Sequence, residues 1–301
     1  MREVHLDGIH HITAITADAQ RNVDFYSGVL GLRLVKKTVN FDAPQAYHLY
    51  FGDRLGNPGS IMTFFEFRGV DRGRAGAGMV DLVRWRAPEG SFGFWEERLV
   101  SAGAQPKYER EELRFEDPEG LQLAIVEDAS GDPQHASTTE DIPSERALRG
   151  FHSARALVAD PRKTEVLMEA IGFERPGEGY SFGIDGRVWY STQPSAQIGM
   201  QGAGTVHHIA WACEPDEQEQ WRSLLQSEGV NVTPIMDRMY FRSIYFREPG
   251  GVLFEIATKG PGFTVDEGSE ELGTSLKLPP QHESLREALE RELVPISVPG
   301  E

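Results

Sequence analysis

Four of the nine histidines stand in two His-His pairs, Ile9-His10-His11-Ile12 and Val206-His207-His208-Ile209. Both pairs lie in short β-prone runs, and neighbouring side chains of a strand point to opposite faces, so only one imidazole of each pair can face a given cavity. One such pair alone is most simply a hydrogen-bonded core or edge histidine. Two pairs at matching places in a repeat point instead to metal ligation, because imidazole suits iron, manganese and zinc. The repeat also nominates an anion. Glu255 lies inside the apolar run Val252-Leu253-Phe254-Glu255-Ile256-Ala257, where a carboxylate is costly unless it is paired or metal-bound. Aligning the repeats sets Glu255 against Thr63, Ala124 and Tyr190. The rival reading is an edge-strand Glu that reaches solvent or an Arg. Two His and one carboxylate leave coordination positions open for substrate and dioxygen on a non-haem iron. A lyase or isomerase of this kind more often needs a fourth protein ligand, and the first repeat offers only Thr63 there, with Glu66 three residues on. One choice stays open on pattern alone: Phe151-His152-Ser153 puts His152 where the first repeat has His11.

The elements that must position these residues are short. Glycine and proline, 32 and 18 in number, punctuate β-prone runs at Ile9–Thr16, Arg33–Thr38, Tyr47–Phe51, Ser60–Phe67, Val80–Trp85, Gln122–Val126, Arg155–Val158, Val188–Ser191, Val206–Ala212, Arg242–Phe246 and Val252–Ala257. Helical periodicity appears at Ala19–Leu30, Phe92–Ser101, Arg162–Ile171 and Glu217–Ser227. In the first of these, Asp18 can cap, Val23, Tyr26, Val29 and Leu30 share a face, and Gly31 supplies a left-handed exit. One helix after one strand and before about three more, four times over, predicts an α+β fold of four βαβββ modules. The echo of Phe115-Glu116-Asp117-Pro118-Glu119-Gly120-Leu121 in Phe246-Arg247-Glu248-Pro249-Gly250-Gly251-Val252 supports the repeat. The expected division is an N-terminal module pair over 1–128, a linker over 129–149 rich in Ser, Thr, Asp and Pro, a C-terminal pair over 150–260, and a tail over 261–301. In the tail, Ser284-Leu285-Arg286-Glu287 has capping-box spacing, and Leu285, Ala288, Leu289 and Leu293 form an apolar stripe that should pack back on the sheets.

Composition removes whole classes of function. The chain has 301 residues, 30 Lys+Arg and 47 Asp+Glu, for a formal charge of −17. Such a surplus argues against a nucleic-acid or anionic-membrane partner, which would need clustered cations. Hydrophobic residues at 39% suffice for a sizeable core. The lone Cys213 excludes an intramolecular disulfide and a Cys-based zinc or iron–sulfur cluster. The amino-terminal residues lack the apolar core of a signal peptide, and no run approaches the ~18 apolar residues of a membrane span. These readings predict a cytoplasmic protein.

Together, His10-His11-Ile12-Thr13, Lys36-Lys37-Thr38-Val39-Asn40-Phe41-Asp42, Tyr47-His48-Leu49-Tyr50-Phe51-Gly52 and Gly56-Asn57-Pro58-Gly59 resemble the vicinal oxygen chelate (glyoxalase/bleomycin resistance/extradiol dioxygenase) superfamily. Val206-His207-His208-Ile209-Ala210-Trp211, Arg242-Ser243-Ile244-Tyr245-Phe246-Arg247-Glu248-Pro249-Gly250-Gly251 and Leu278-Pro279-Pro280 are similar to its iron(II)-dependent hydroquinone ring-cleaving branch. The resemblance spans nearly the whole chain and is strongest in the first and fourth modules. It implies modules paired into two open barrels, with modules one and four sharing one. It also implies iron(II), or manganese(II), held by His11, His208 and Glu255, which selects His11 over His152. His10 and His207 would then sit behind the ligands or line the cavity near Thr13. Arg238 and Tyr245 correspond to catalytic groups upstream of the Glu.

Tyr245 lies ten residues before Glu255, and it shares the cavity only if the intervening hairpin loop is odd in length. Its rival role is a core aromatic, and that of Arg238 a surface ion pair. With Tyr245 and His10 moving protons, Arg238 stabilising negative charge, Thr13 and His207 contacting substrate, and Trp211 and Phe254 as walls, the expectation is ring cleavage of a hydroquinone by O2. The partners are then a small aromatic molecule and O2, with a homo-oligomer also allowed. A glyoxalase-type isomerase or lyase, a non-catalytic binding module and a catechol-cleaving enzyme are the alternatives.

Overall fold

The computed structural model describes residues 4–128, 135–136, 139, 141–176 and 179–299. Residues 129–134, 137–138 and 140 of the expected linker lie outside the described residues. Module one contributes β1 (Ile9–Thr16), α1 (Ala19–Val23), β2 (Arg33–Val39), β3 (Tyr47–Gly52) and β4 (Ile61–Glu66). Module two has β5 (Met79–Ala87), α2 (Phe92–Ser101), β6 (Lys107–Glu109), β7 (Glu112–Glu116) and β8 (Gln122–Glu127). Module three has β9 (Phe151–Val158), α3 (Pro161–Ala170), β10 (Ser181–Ile184) and β11 (Arg187–Pro194), and module four β12 (Thr205–Cys213), α4 (Gln218–Ser227), β13 (Met236–Asp237), β14 (Phe241–Arg247) and β15 (Leu253–Pro261). Among the described residues the third module has one strand fewer, with an isolated bridge between Glu174 and Gly183 before its last two strands. β6, β7, β10 and β13 escaped the sequence reading because they are brief or charged and lack an apolar run.

Two curled mixed sheets result. One runs β13-β14-β15-β12-β1-β4-β3-β2 and the other β10-β11-β9-β5-β8-β7-β6. Modules one and four therefore share a sheet through the antiparallel pair β1–β12, and modules two and three share the other through β5–β9. Each half of the sequence gives one module to each sheet. Within every module the first and last strands pair in parallel: Thr13 beside Thr63, Ala210 beside Glu255, Arg84 beside Ala124 and Ala154 beside Tyr190. These four parallel registers match the sequence alignment of Glu255 with Thr63, Ala124 and Tyr190.

Local chemistry explains the repeat's punctuation. Asp18 Oδ1 accepts from the Arg21 amide at 3.0 Å and starts α1, which runs on as a π-helical stretch over Asp24–Val29 and ends at Gly31 with φ +70°. The echoed loops are closed by buried carboxylates. Asp117 accepts from the amides of Glu119 and Leu121 at 2.8 and 2.9 Å, and Glu248 from those of Gly250 and Val252 at 2.7 and 2.9 Å. The two sheets meet over a continuous apolar core in which Trp211 packs edge-on against Phe173, Tyr190 and Phe254.

The tail wraps module one. Buried Lys36 pairs with Asp266 at 2.6 Å and with Glu267, the Lys277 amide donates to the Lys37 carbonyl at 2.9 Å, and His282 Nε2 donates to the Phe41 carbonyl at 2.9 Å. Its helix α5 (Arg286–Glu292) buries Leu289, and Leu293 follows it into the core, while Leu285 faces outward. Ser284 does not cap, since a 3-10 turn over Pro280–Leu285 makes Leu285 the residue before the helix. Among the described residues no helix is long and apolar enough to cross a membrane.

Candidate metal centre

β1 and β12 bring the two His-His pairs side by side: Thr13 stands opposite His208 and His11 opposite Ala210. Because Ala210 also neighbours Glu255 across the β12–β15 pair, three side chains converge. His11 Nε2 lies 3.3 Å from His208 Nε2 and 3.3 Å from Glu255 Oε2, and His208 Nε2 lies 3.0 Å from Glu255 Oε2. All three residues are buried, Glu255 completely. Among the described residues this is the one group of three His, Cys, Asp or Glu whose ligand atoms gather within metal-binding reach. His152 stands in the other sheet, near Arg86, Asp128 and Arg84, with its imidazole pulled down to about 4 chiefly by burial.

The hydrogen bonds of His10 fix which nitrogen of His11 carries its proton. His10 Nε2 sits 3.1 Å from the Thr258 carbonyl, which can only accept, so this nitrogen is the donor. The His10 imidazole is neutral, driven down to about 3 by burial and then by His11, so its Nδ1 must accept. At 2.9 Å its partner is His11 Nδ1, which therefore holds the His11 proton and leaves a lone pair on Nε2. His207 Nδ1 lies 2.8 Å from His208 Nδ1. Ser243 donates to Glu255 Oε1, whereas the buried Oε2 has no hydrogen-bond donor. Burial opposes the charge of Glu255, so its ionised form calls for positive charge at the cluster. Burial likewise lowers His208. Three potential ligand atoms thus gather at 3.0–3.3 Å in a buried site, and with the His11 proton on Nδ1 the facing lone pairs of His11 Nε2 and Glu255 Oε2 are best satisfied by a cation between them. The donor set fits a divalent transition metal.

The cavity in front of this cluster is small, about 40 Å³, well below the ~300–1,000 Å³ typical of ligand pockets. Thr13, Arg238 and Tyr245 line it with the three clustered residues, as do Phe41, Asp42, Phe65 and Phe241. Tyr245 stands directly opposite Glu255 across β14–β15, because the closing loop spans five residues, 248–252, and so meets the odd-length condition. Burial, then Glu255, raises the Tyr245 phenol, which stays protonated. Arg238 Nε donates to its oxygen at 3.2 Å. His207 lines an adjoining groove rather than the cavity. His10 is the extra residue of a bulge between Ile9 and His11 and lies behind His11, off the cavity, bonded to His11 Nδ1. Trp211 and Phe254 are not walls: strand alternation turns them from Ala210 and Glu255 into the core between the sheets. Sequence reasoning missed His48, Tyr50 and Asp42. The alternation of His48 and Tyr50 along β3 was the available signal, but no paired residue drew attention to it.

The model for the family described as "Glyoxalase/Bleomycin resistance protein/Dioxygenase superfamily" matches residues 8–256. The chain is 46% identical, over 97% of each sequence, to a Bacillus subtilis protein named "Putative ring-cleaving dioxygenase MhqO". It is 36% identical, over 96% of each, to the chlorohydroquinone/hydroquinone 1,2-dioxygenase of Sphingobium indicum. A crystal structure of a Bacillus subtilis protein named "putative dioxygenase" superposes with a TM-score of 0.92 at 44% identity, covering 98% of this chain and 99% of that one. Glyoxalase I from Zea mays shares the fold at a TM-score of 0.62 and 13% identity, over 84% of this chain and 92% of its own. With paired modules, a His-His-Glu cluster and full-length relatives, the chain belongs to the glyoxalase/bleomycin resistance protein/dioxygenase superfamily.

Proposed function

We propose that the protein is an iron(II)-dependent dioxygenase that opens the ring of a hydroquinone beside a hydroxylated carbon, inserting both atoms of O2, with manganese(II) as the alternative metal. The observation that carries this reading is the set of three converging ligand atoms, His11 Nε2, His208 Nε2 and Glu255 Oε2, facing a small aromatic-walled cavity. The position that repeats Glu255 in module one holds Thr63, whose hydroxyl is engaged by Thr13 at 2.9 Å and by His48 at 2.8 Å. A three-ligand face leaves room for two exogenous groups, as oxygenation requires and a four-ligand isomerase site does not. The hydroquinone assignment draws on the activity named for the Sphingobium relative.

His11, His208 and Glu255 would hold the metal, which when bound supplies acidification of a phenol and a site for O2. The chain's own groups do the rest. Phe41, Phe65 and Phe241 flank the ring and exclude water. Tyr245, kept protonated and aimed by Arg238, can give a proton at its phenolic oxygen. The Arg238 guanidinium stabilises negative charge that develops on substrate oxygen. Thr13 offers a hydroxyl beside His11 for orienting the ring.

Oxygen uptake by anaerobically iron(II)-reconstituted protein, with hydroquinone and catechol offered in parallel, tests the reading. Uptake with hydroquinone that is absent from metal-stripped protein is expected. No uptake with either substrate, despite stoichiometric metal, would turn the assignment to an isomerase or a binding module.

A further inference from the structure

Arg238 is the one Lys or Arg that lines the cavity among the described residues, and Asp42 is the one acidic side chain there besides Glu255. The two are joined: Arg238 Nη2 lies 3.5 Å from Asp42 Oδ2, while Arg238 Nε is taken by the Tyr245 oxygen at 3.2 Å. The Phe41 and Tyr245 rings sandwich the guanidinium at 5.6 and 5.3 Å, so its place is set by packing as well as charge. The Asp42 amide donates to Asn40 Oδ1 at 2.8 Å, which holds its backbone, while its carboxylate stays largely exposed beside Arg238. It also lines the adjoining groove with Phe65, Phe67 and His207, so a ligand entering from that side passes it.

The charges of this cavity are therefore already matched. A divalent metal with Glu255 carries one positive charge, which a singly ionised hydroquinone oxygen neutralises, and Arg238 with Asp42 sums to zero. A ring bearing a carboxylate would bring a second negative charge past Asp42 into a cavity lined, among the described residues, by no Lys or Arg besides the Arg238 that meets the substrate oxygen, and discrimination of this kind is built by an unfavourable charge as much as by a favourable contact. Building on the proposed hydroquinone chemistry, we propose that Asp42 is a specificity-determining residue that makes the site select hydroquinones without a carboxylate.

The test uses an isosteric pair, 2,5-dihydroxyphenylacetic acid and its primary amide, with chlorohydroquinone as reference. Binding to the iron(II)-loaded protein is measured without oxygen, in the wild type and in Asp42→Asn. The wild type should prefer the amide, and Asp42→Asn should shrink that preference by about fivefold, the effect of one like charge about 4 Å away across water. Equal or tighter binding of the acid by the wild type would overturn the proposal. So would an unchanged preference in Asp42→Asn, or rejection of both acid and amide while chlorohydroquinone binds, which would place selection in size. Because no turnover is needed, a preserved preference without aerobic ring opening would defeat the hydroquinone-cleavage reading alone. A lost preference alongside ring opening would defeat this inference alone.

Discussion

Removing His10 tests the tautomer argument on which the metal centre rests. In His10→Ala, the His11 Nδ1–H and the Thr258 carbonyl, now bonded to His10 at 2.9 and 3.1 Å, both lose their partner in a buried place. An unsatisfied buried group costs about 1–3 kcal/mol. Without metal the variant can recover part of this, because the His11 proton can move to Nε2 and face Glu255 Oε2 across 3.3 Å. With metal bound that escape is closed, since Nε2 is then the ligand atom. The difference falls on metal affinity and amounts to about 1.4–2.8 kcal/mol, a 10–100-fold weakening. His207→Ala should cost less, about 2–5-fold, because His207 is only partly buried and water can replace it at His208 Nδ1. Competition between the protein and a chromophoric chelator for iron(II), run without oxygen, measures both. Thermal unfolding of the metal-free variants reports any general loss of packing. Metal retention by His10→Ala within twofold of the wild type, or a larger cost for His207→Ala, would refute the reasoning.

Three further outcomes follow from the same geometry. His11→Ala should lose bound iron on gel filtration while His152→Ala retains it, and retained iron in the first would remove His11 from the ligand set. Tyr245→Phe should keep its metal but lower turnover about 100-fold, the usual worth of a positioned proton donor; unchanged turnover would leave Tyr245 a core aromatic. His152 is held neutral by burial at about 4, against about 6.5 unfolded, so its stabilising effect is present above pH 6.5 and is lost as pH falls towards 4. At pH 5 this is about 2 kcal/mol relative to pH 7.5, and denaturant melts of metal-free His152→Gln should show a shallower decline over that window than the wild type. An equal slope in the two proteins would contradict the assignment.

Much of this was readable because a repeat makes each module a ruler for the others. The positions of Thr63, Ala124 and Tyr190 against Glu255 follow from strand register, and register survives when side chains do not. Strands with apolar runs, such as β1, β12 and β15, announced themselves, whereas β6 and β10 are stabilised by the neighbours they pair with. The choice between His11 and His152 was illegible in periodicity, since it depends on which modules share a sheet, a long-range fact settled by the β1–β12 pairing. Tyr245 could be placed by parity, but Trp211 and Phe254 could not, because both faces of β12 and β15 are buried and hydrophobicity no longer tells cavity from core. Asp42 was hidden for the opposite reason. It lies in a loop, and its importance comes from Arg238, 196 residues away.

The most direct test of the central claim is product analysis after turnover of hydroquinone under 18O2 by iron(II)-loaded protein. The account predicts a ring-opened product with 18O in its new carboxylate, formed by the wild type and absent from Glu255→Gln. Unlabelled benzoquinone as the sole product, or labelled ring-opened product formed equally well by Glu255→Gln, would contradict it.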